Sequence, residues 1–176
     1  GVRGYFAMTS PWPGMLMTLY KAPQRYIDVY WSRFKGKTAF YTGDFAVKDQ
    51  DGYIWVLGRA DDVLKVAGHR IGTAEIESAM IKHPSVAESA CVGKTDAVKG
   101  ETPFVFTVLK RGFSPSPELG KELKAHLRST IGPLVASDTT IAFVDLVPKT
   151  RSGKIMRRLL RAVVHGAPIG DVTTLE

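Results

Sequence analysis

An apolar run, Ile141-Ala142-Phe143-Val144, is followed by the basic, glycine-bearing segment Pro148-Lys149-Thr150-Arg151-Ser152-Gly153-Lys154 and then by apolar residues at helical spacing, Ile155, Leu159, Leu160 and Val163. A proline cannot donate to a sheet ladder, so Pro148 ends the strand that Ile141–Val147 predicts, and the periodicity starts a helix beside Lys154. The chain therefore has to fold with a short basic loop between a sheet and a helix packed on it. Gly153 lets a ligand approach the backbone, and Ser152, Gly153 and the first helical N–H groups offer donors to an anion. Lys149, Arg151, Lys154, Arg157, Arg158 and Arg161 follow with no acidic residue among them, which makes the local field positive. Such a run is usually a solvated helix face; the other reading is a phosphate site.

Composition narrows the choice. The chain's 176 residues are 44% hydrophobic and 23% charged, enough for a packed core, and 24 Lys and Arg against 17 Asp and Glu give a net charge of +7. That balance favours phosphate-bearing partners without choosing among nucleotide, coenzyme and nucleic acid. The single cysteine, Cys91, lies in the strand-like Val86–Val92 and reads as a buried thiol. No apolar run is long enough for a membrane span, and the first residues lack the pattern of a signal peptide, so a soluble cytoplasmic location is expected. The opening Gly1-Val2-Arg3-Gly4 and Pro11-Trp12-Pro13-Gly14 read as the end of something longer. Trp12, Met15, Met17, Leu19, Tyr20, Tyr26, Tyr30 and Trp31 look like groups that pack on an upstream domain.

From residue 40 the pattern is regular. Phe45–Val47, Asp49-Gln50-Asp51-Gly52 and Tyr53–Leu57 predict a β-hairpin, with Asp49 and Asp51 serving turn chemistry rather than calcium. Thr73 is expected to cap a helix through Ile81 that stops at His83-Pro84. Val86–Val92 and Pro103–Leu109 read as strands, and Ser116-Pro117-Glu118 opens a helix with the stripe Leu119, Leu123 and Leu127. The expected fold class is α+β: a small C-terminal domain with a few-stranded sheet flanked by helices, preceded by a remnant of a larger N-terminal domain and a β-hairpin. Gly166–Glu176 reads as a frayed tail.

Three motifs stand on this scaffold in order: Tyr41-Thr42-Gly43-Asp44, then Gly58-Arg59-Ala60-Asp61-Asp62 through Gly68-His69-Arg70-Ile71 with Glu75 and Glu77 beyond, then the lysine loop. In this order and spacing they resemble the C-terminal portion of the adenylate-forming superfamily of acyl-CoA synthetases, peptide synthetase adenylation domains and luciferases. With Pro11–Gly14, Tyr30-Trp31 and Ile131-Gly132-Pro133-Leu134 they are most similar to the AMP-forming acetyl-CoA synthetases. On this resemblance residues 1–60 are the end of the large adenylation domain, 61–165 the mobile C-terminal domain and 166–176 a tail.

The resemblance implies a carboxylate activated by ATP to an acyl-adenylate, then a rotation of the C-terminal domain that lets the CoA thiol attack it. It assigns Asp44 to the ribose hydroxyls, a role suited to a two-oxygen acceptor, with Arg59 and Arg70 also on the nucleotide and Asp61 at the hinge. Lys154 becomes the catalytic ammonium facing the carboxylate and α-phosphate oxygens, and the target of an acetyltransferase and deacetylase pair that would silence the first half-reaction alone. Gly68 would let the pantetheine arm pass, and Arg128 would meet the CoA phosphates, the alternative for Arg128 being a solvated helix end. Residue 67, often serine or arginine in relatives, is alanine here, which removes a polar contact. Substrates would be ATP with Mg²⁺, CoA and acetate, with no protein metal site and no membrane or nucleic-acid partner. The superfamily's phosphate-binding loop, adenine pocket and acyl pocket belong to a missing N-terminal domain, so this segment is expected to be inactive alone. A propionyl-CoA or other short-chain synthetase and a detached regulatory or binding module remain the alternatives.

Overall fold

The computed structural model describes all 176 residues. They form two compact units, Gly1–Asp61 and Asp62–Glu176. In the first, strands β1 (Val2–Met8), β2 (Phe40–Lys48) and β3 (Ile54–Arg59) make an antiparallel sheet in that order, and helix α1 spans Pro23–Tyr30. The β2–β3 hairpin follows the Asp-Gly signal. Asp49 Oδ1 accepts the N–H groups of Asp51 (3.1 Å) and Tyr53 (2.8 Å), and Oδ2 accepts Trp55 Nε1–H (2.7 Å). Those donors hold the Asp49 carboxyl below its ordinary range, with the Trp55 bond the main cause. Strand β1 carries no expectation from sequence; it is recruited by β2, pairing Val2 with Lys48 and Met8 with Phe40. Trp12, Tyr30 and Trp31 gather around Phe40 and Tyr26 is buried, so part of the aromatic opening segment packs within this unit, while Met17 and Tyr20 are exposed.

The second unit holds β4 (Val63–Val66), β5 (His69–Gly72), α2 (Thr73–Ile81), β6 (Val86–Asp96), β7 (Gly100–Leu109), α3 (Pro117–Thr130), α4 (Pro133–Asp138), β8 (Thr140–Phe143) and α5 (Arg157–His165). Its sheet runs β5-β4-β7-β6, with β8 parallel to β7. The long apolar runs of β6 and β7 are explained by helices on both faces. Cys91 and Val105 point into one core with Ile76, Met80, Leu123 and Leu127 of α2 and α3, and Ala90, Val92 and Phe106 into another with Val147 and Leu160. Burial pushes the Cys91 thiol far above its ordinary value, so it is a packing group.

Several boundaries differ from the periodicity. Thr73 is the first residue inside α2 and buried; the N-cap is Gly72, with no side-chain cap, because Thr73 is drawn into the core. At α3 the Ser116 hydroxyl does cap, accepting the Leu119 N–H at 3.1 Å. The strand expected over 141–147 ends at Phe143, where pairing with β7 runs out, and α5 begins at Arg157 rather than beside Lys154. Val163 faces solvent, its place in the apolar stripe taken by Ala162 and Val164. Leu123 is fully buried, so Leu123→Ala should cost about 3 kcal/mol by urea unfolding, from lost transfer energy plus the cavity left behind; a cost below about 1 kcal/mol would mean that α3 is not a core element.

Candidate functional site

Residues singled out from the sequence fall into separate groups. In the first unit, Asp44 and Arg59 are direct cross-strand partners on β2 and β3. The Arg59 guanidinium donates to Thr42 O (3.1 Å), lies 3.5 Å from Asp44 Oδ1, and through Nε reaches Asp61 Oδ1 at 3.1 Å. The Thr42 hydroxyl donates to Phe6 O (2.9 Å) and accepts the Asp44 N–H (3.2 Å), which ties this irregular stretch of β2 to β1. Gly43 is required twice: its φ is +83°, and a Cβ there would sit 2.6 Å from both terminal nitrogens of Arg59. The result is a carboxylate with an arginine laid across it, a surface that offers acceptors and donors side by side.

In the second unit, Ala67 and Gly68 are the two central residues of the β4–β5 hairpin, between the partners Val66 and His69. Their φ values of +47° and +83° are those of a primed two-residue turn. A Cβ at Gly68 would meet nothing within 4 Å, so its torsion accounts for the glycine here. His69 and Arg70 follow on β5, both exposed, and Arg128 lies exposed in the last turn of α3, where a cation complements the helix dipole.

The lysine loop is a tight turn. Lys149 and Ile155 bridge across it, Thr150 N–H donates to Lys154 O (2.9 Å), Gly153 N–H to Thr150 O (2.7 Å) and Lys154 N–H to the Thr150 hydroxyl (3.2 Å), with Gly153 at φ +78°. The N–H groups of Gly153 and Lys154, expected to face an anion, are thus spent inside the loop. What the loop offers is the Lys154 side chain, exposed and without a bonded partner.

Most of the basic run around it is paired, Arg151 being exposed like Lys154. Lys149 pairs with Glu88 (2.7 Å), Arg157 with Glu77 (2.6 Å) and, more loosely, with Asp62 (3.7 Å), Arg161 with Asp62, and Arg158 donates to the carbonyls of Ile169 and Asp171. Glu77 also accepts the Cys91 N–H at 2.8 Å. Burial pushes the Glu77 carboxyl above its ordinary value, and the Cys91 N–H and the Arg157 guanidinium offset this only in part. Sequence reading missed this network because the counter-charges sit 80 and 99 residues away along the chain. It also missed the chain Ser85–His83–Glu122, at 2.8 and 3.2 Å, which links the segment between α2 and β6 to α3; Ser85 is fully buried.

Glu77→Ala should cost about 3 to 5 kcal/mol by denaturant unfolding, since it strands the Arg157 charge. A carboxyl raised in the folded state holds its proton more tightly folded than unfolded, so its stabilisation is present at low pH and lost as pH rises through the raised value. Relative to Glu77→Gln, the wild type should lose stability as pH rises from the ordinary glutamate range through the raised value; a gap that moves the other way would show that the Arg157 charge outweighs burial. Gly43→Ala should cost about 1 kcal/mol and displace Arg59. Adding Arg59→Ala should then cost little more, and full additivity in the double-mutant cycle would contradict the contact.

Residues 75–154 match the AMP-binding enzyme C-terminal domain. Over 176 residues, all of the chain and 26% of the relative, it is 65% identical to the acetyl-coenzyme A synthetase of Pyrobaculum aerophilum. It is 51% identical to the 3-hydroxypropionyl-coenzyme A synthetase of Metallosphaera sedula over 99% of the chain and 26% of that protein. The structure superposes on an ATP-bound RpMatB–BxBclM chimera with a TM-score of 0.80 at 31% identity, covering 93% of this chain and 31% of that one. The chain thus spans about a quarter of the length of the curated relatives it matches, and it carries the AMP-binding enzyme C-terminal domain over residues 75–154 and is a homologue of the C-terminal part of acetyl-CoA synthetase.

Proposed function

We propose that the chain supplies the mobile C-terminal part of an enzyme that joins acetate to ATP, releasing diphosphate, and then passes the acetyl group from the adenylate to CoA, releasing AMP. The observation that carries this reading is the placement of Lys154 among the basic residues of the last 30 positions: Lys149, Arg157, Arg158 and Arg161 are committed to carboxylates or carbonyls, whereas Lys154, with Arg151 on the same braced turn, is exposed and keeps its ammonium free. An ammonium so presented can stabilise the charge that gathers when a carboxylate oxygen attacks the α-phosphorus and the bond to diphosphate breaks. Asp44 would accept the ribose hydroxyls, and Arg59, tethered to Thr42, Asp44 and Asp61, would add a donor to the nucleotide.

Asp61 is the hinge in this reading; the boundary between the two compact units falls directly after it. The Ala67-Gly68 turn, Arg70 and Arg128 would then serve CoA and nucleotide phosphates. Magnesium would arrive with ATP, held by its phosphates, in the cytoplasm. Acetylation of Lys154 would remove its charge and stop adenylation while sparing thioester formation. The similarity to a 3-hydroxypropionyl-coenzyme A synthetase supports a second reading, in which the acid is a different short-chain carboxylate, propionate included. The side chains that would measure the acyl group belong to the larger part of the enzyme.

The test replaces the matching segment of the Pyrobaculum aerophilum relative with this chain and follows acetate-dependent exchange of labelled diphosphate into ATP. Lys154→Ala should lower exchange by about 100-fold to 1,000-fold, the scale of one lost transition-state contact. Thioester formation from preformed acetyl-adenylate should stay within about twofold of wild type. Undiminished exchange would overturn the assignment, and faster exchange with propionate or 3-hydroxypropionate would reassign the acid.

A further inference from the structure

The tail expected to fray does not. Beyond α5 the chain reverses at Gly166, in the left-handed region, with the Ala167 N–H donating to Ala162 O at 2.8 Å. It then runs back to the lysine loop. Thr150 forms an antiparallel bridge with Leu175, and Glu176 N–H donates to Lys149 O at 3.1 Å. Residues 149 and 150 are therefore the middle of a three-stranded ribbon, with 154–155 on one side and 175–176 on the other. The return path is clamped by Arg158, four residues after Lys154, whose guanidinium donates to both Ile169 O and Asp171 O. Gly170 fits that clamp, since a Cβ there would lie 3.0 Å from Arg158 Nη1, and its φ of +71° suits glycine. Asp171 Oδ1 then accepts the Thr173 N–H at 2.9 Å, setting the last turn before the ribbon.

We propose that residues 167–176, clamped by Arg158, are a positioning strap that holds the turn bearing Lys154 in its working geometry. The catalytic part of this inference rests on the reading of Lys154 above; the mechanical part stands on the contacts alone. Without the strap, one edge of residues 149 and 150 is unpaired, and the turn keeps its internal hydrogen bonds, the packing of Ile155 on the core and the Lys149–Glu88 pair. A catalytic ammonium that wanders by an ångström loses much of its effect on the barrier, whereas a group used only to bind substrate would show the loss in KM.

Amide hydrogen exchange by NMR on the chain itself decides the mechanical part. In Arg158→Ala, Gly170→Val and Glu176→Pro, the amides of Thr150, Gly153 and Lys154 should exchange about tenfold faster than in wild type, while those of Leu123, Leu127 and Val92 stay unchanged. Unchanged loop amides in all three variants would overturn the strap. In the chimeric enzyme described above, Arg158→Ala and Gly170→Val should lower kcat for diphosphate exchange about tenfold, with KM for ATP and acetate unchanged and thioester formation unaffected. Loosened amides with wild-type exchange kinetics would refute the positioning role. Lys154→Ala run in parallel separates the two ideas: if it leaves diphosphate exchange intact, the function assigned to Lys154 fails, whatever the amides show.

Discussion

The buried charge network of Asp62, Glu77, Arg157 and Arg161 is the constraint on which the second unit depends. Asp62 opens this unit and Arg161 lies in its last helix, so their pairing joins its two ends, while Arg157 bonds both oxygens of Glu77 in the middle of the chain. Removing such charges from water costs several kcal/mol per ion, which good geometry and extra donors such as the Cys91 N–H offset at Glu77 only in part. What the arrangement adds beyond stability is direction: it fixes the rotation of α5 on the sheet, and with it the end of the loop that carries Lys154. Hydrophobic contacts of Leu160 with Ala90, Val92 and Phe106 would by themselves tolerate a slide that the ion pairs forbid.

The same economy appears at the turns. At Gly43, in an irregularity within β2, and at the Ala67-Gly68 and Gly153 turns the backbone enters the left-handed region, and each leaves a polar or charged side chain beside it: Asp44 and Arg59, Arg70, and Lys154. The strands supply rigidity up to the turn, and the turn supplies a short, specified departure from it. Function carried on such turns needs little mobile chain, which lowers the entropy cost of presenting a group to a ligand.

Much of the fold was legible because it is written in local chemistry. The Asp49–Gly52 turn, the Ser116 cap, the Leu119-Leu123-Leu127 stripe and the unbroken apolar runs of β6 and β7 each follow from short-range rules. Where the structure departs, a distant partner prevailed: β2 recruits Val2–Met8 into a sheet, the core takes Thr73 in place of a cap, and loss of pairing with β7 stops β8 at Phe143. At the candidate site, the names Asp44, Arg59, Gly68, Arg70, Arg128 and Lys154 came from the family resemblance that the motifs carry. The sorting of the basic run into paired and unpaired members did not, since local sequence shows six cations and none of their partners.

By itself, the sequence determined the order of elements, the turns and the presence of a lysine on a glycine-bearing loop, since torsional preference, capping and periodicity act over a few residues. Only the tertiary structure decided which charges are spent and which stay available. Glu77 and Asp62 reach Arg157 and Arg161 across 80 and 99 positions, and residues 169–176 return to close over the lysine loop. Those choices depend on which surfaces meet after the sheet and helices have packed, and coulombic and hydrogen-bonding partners far apart in the chain leave no periodic trace in it.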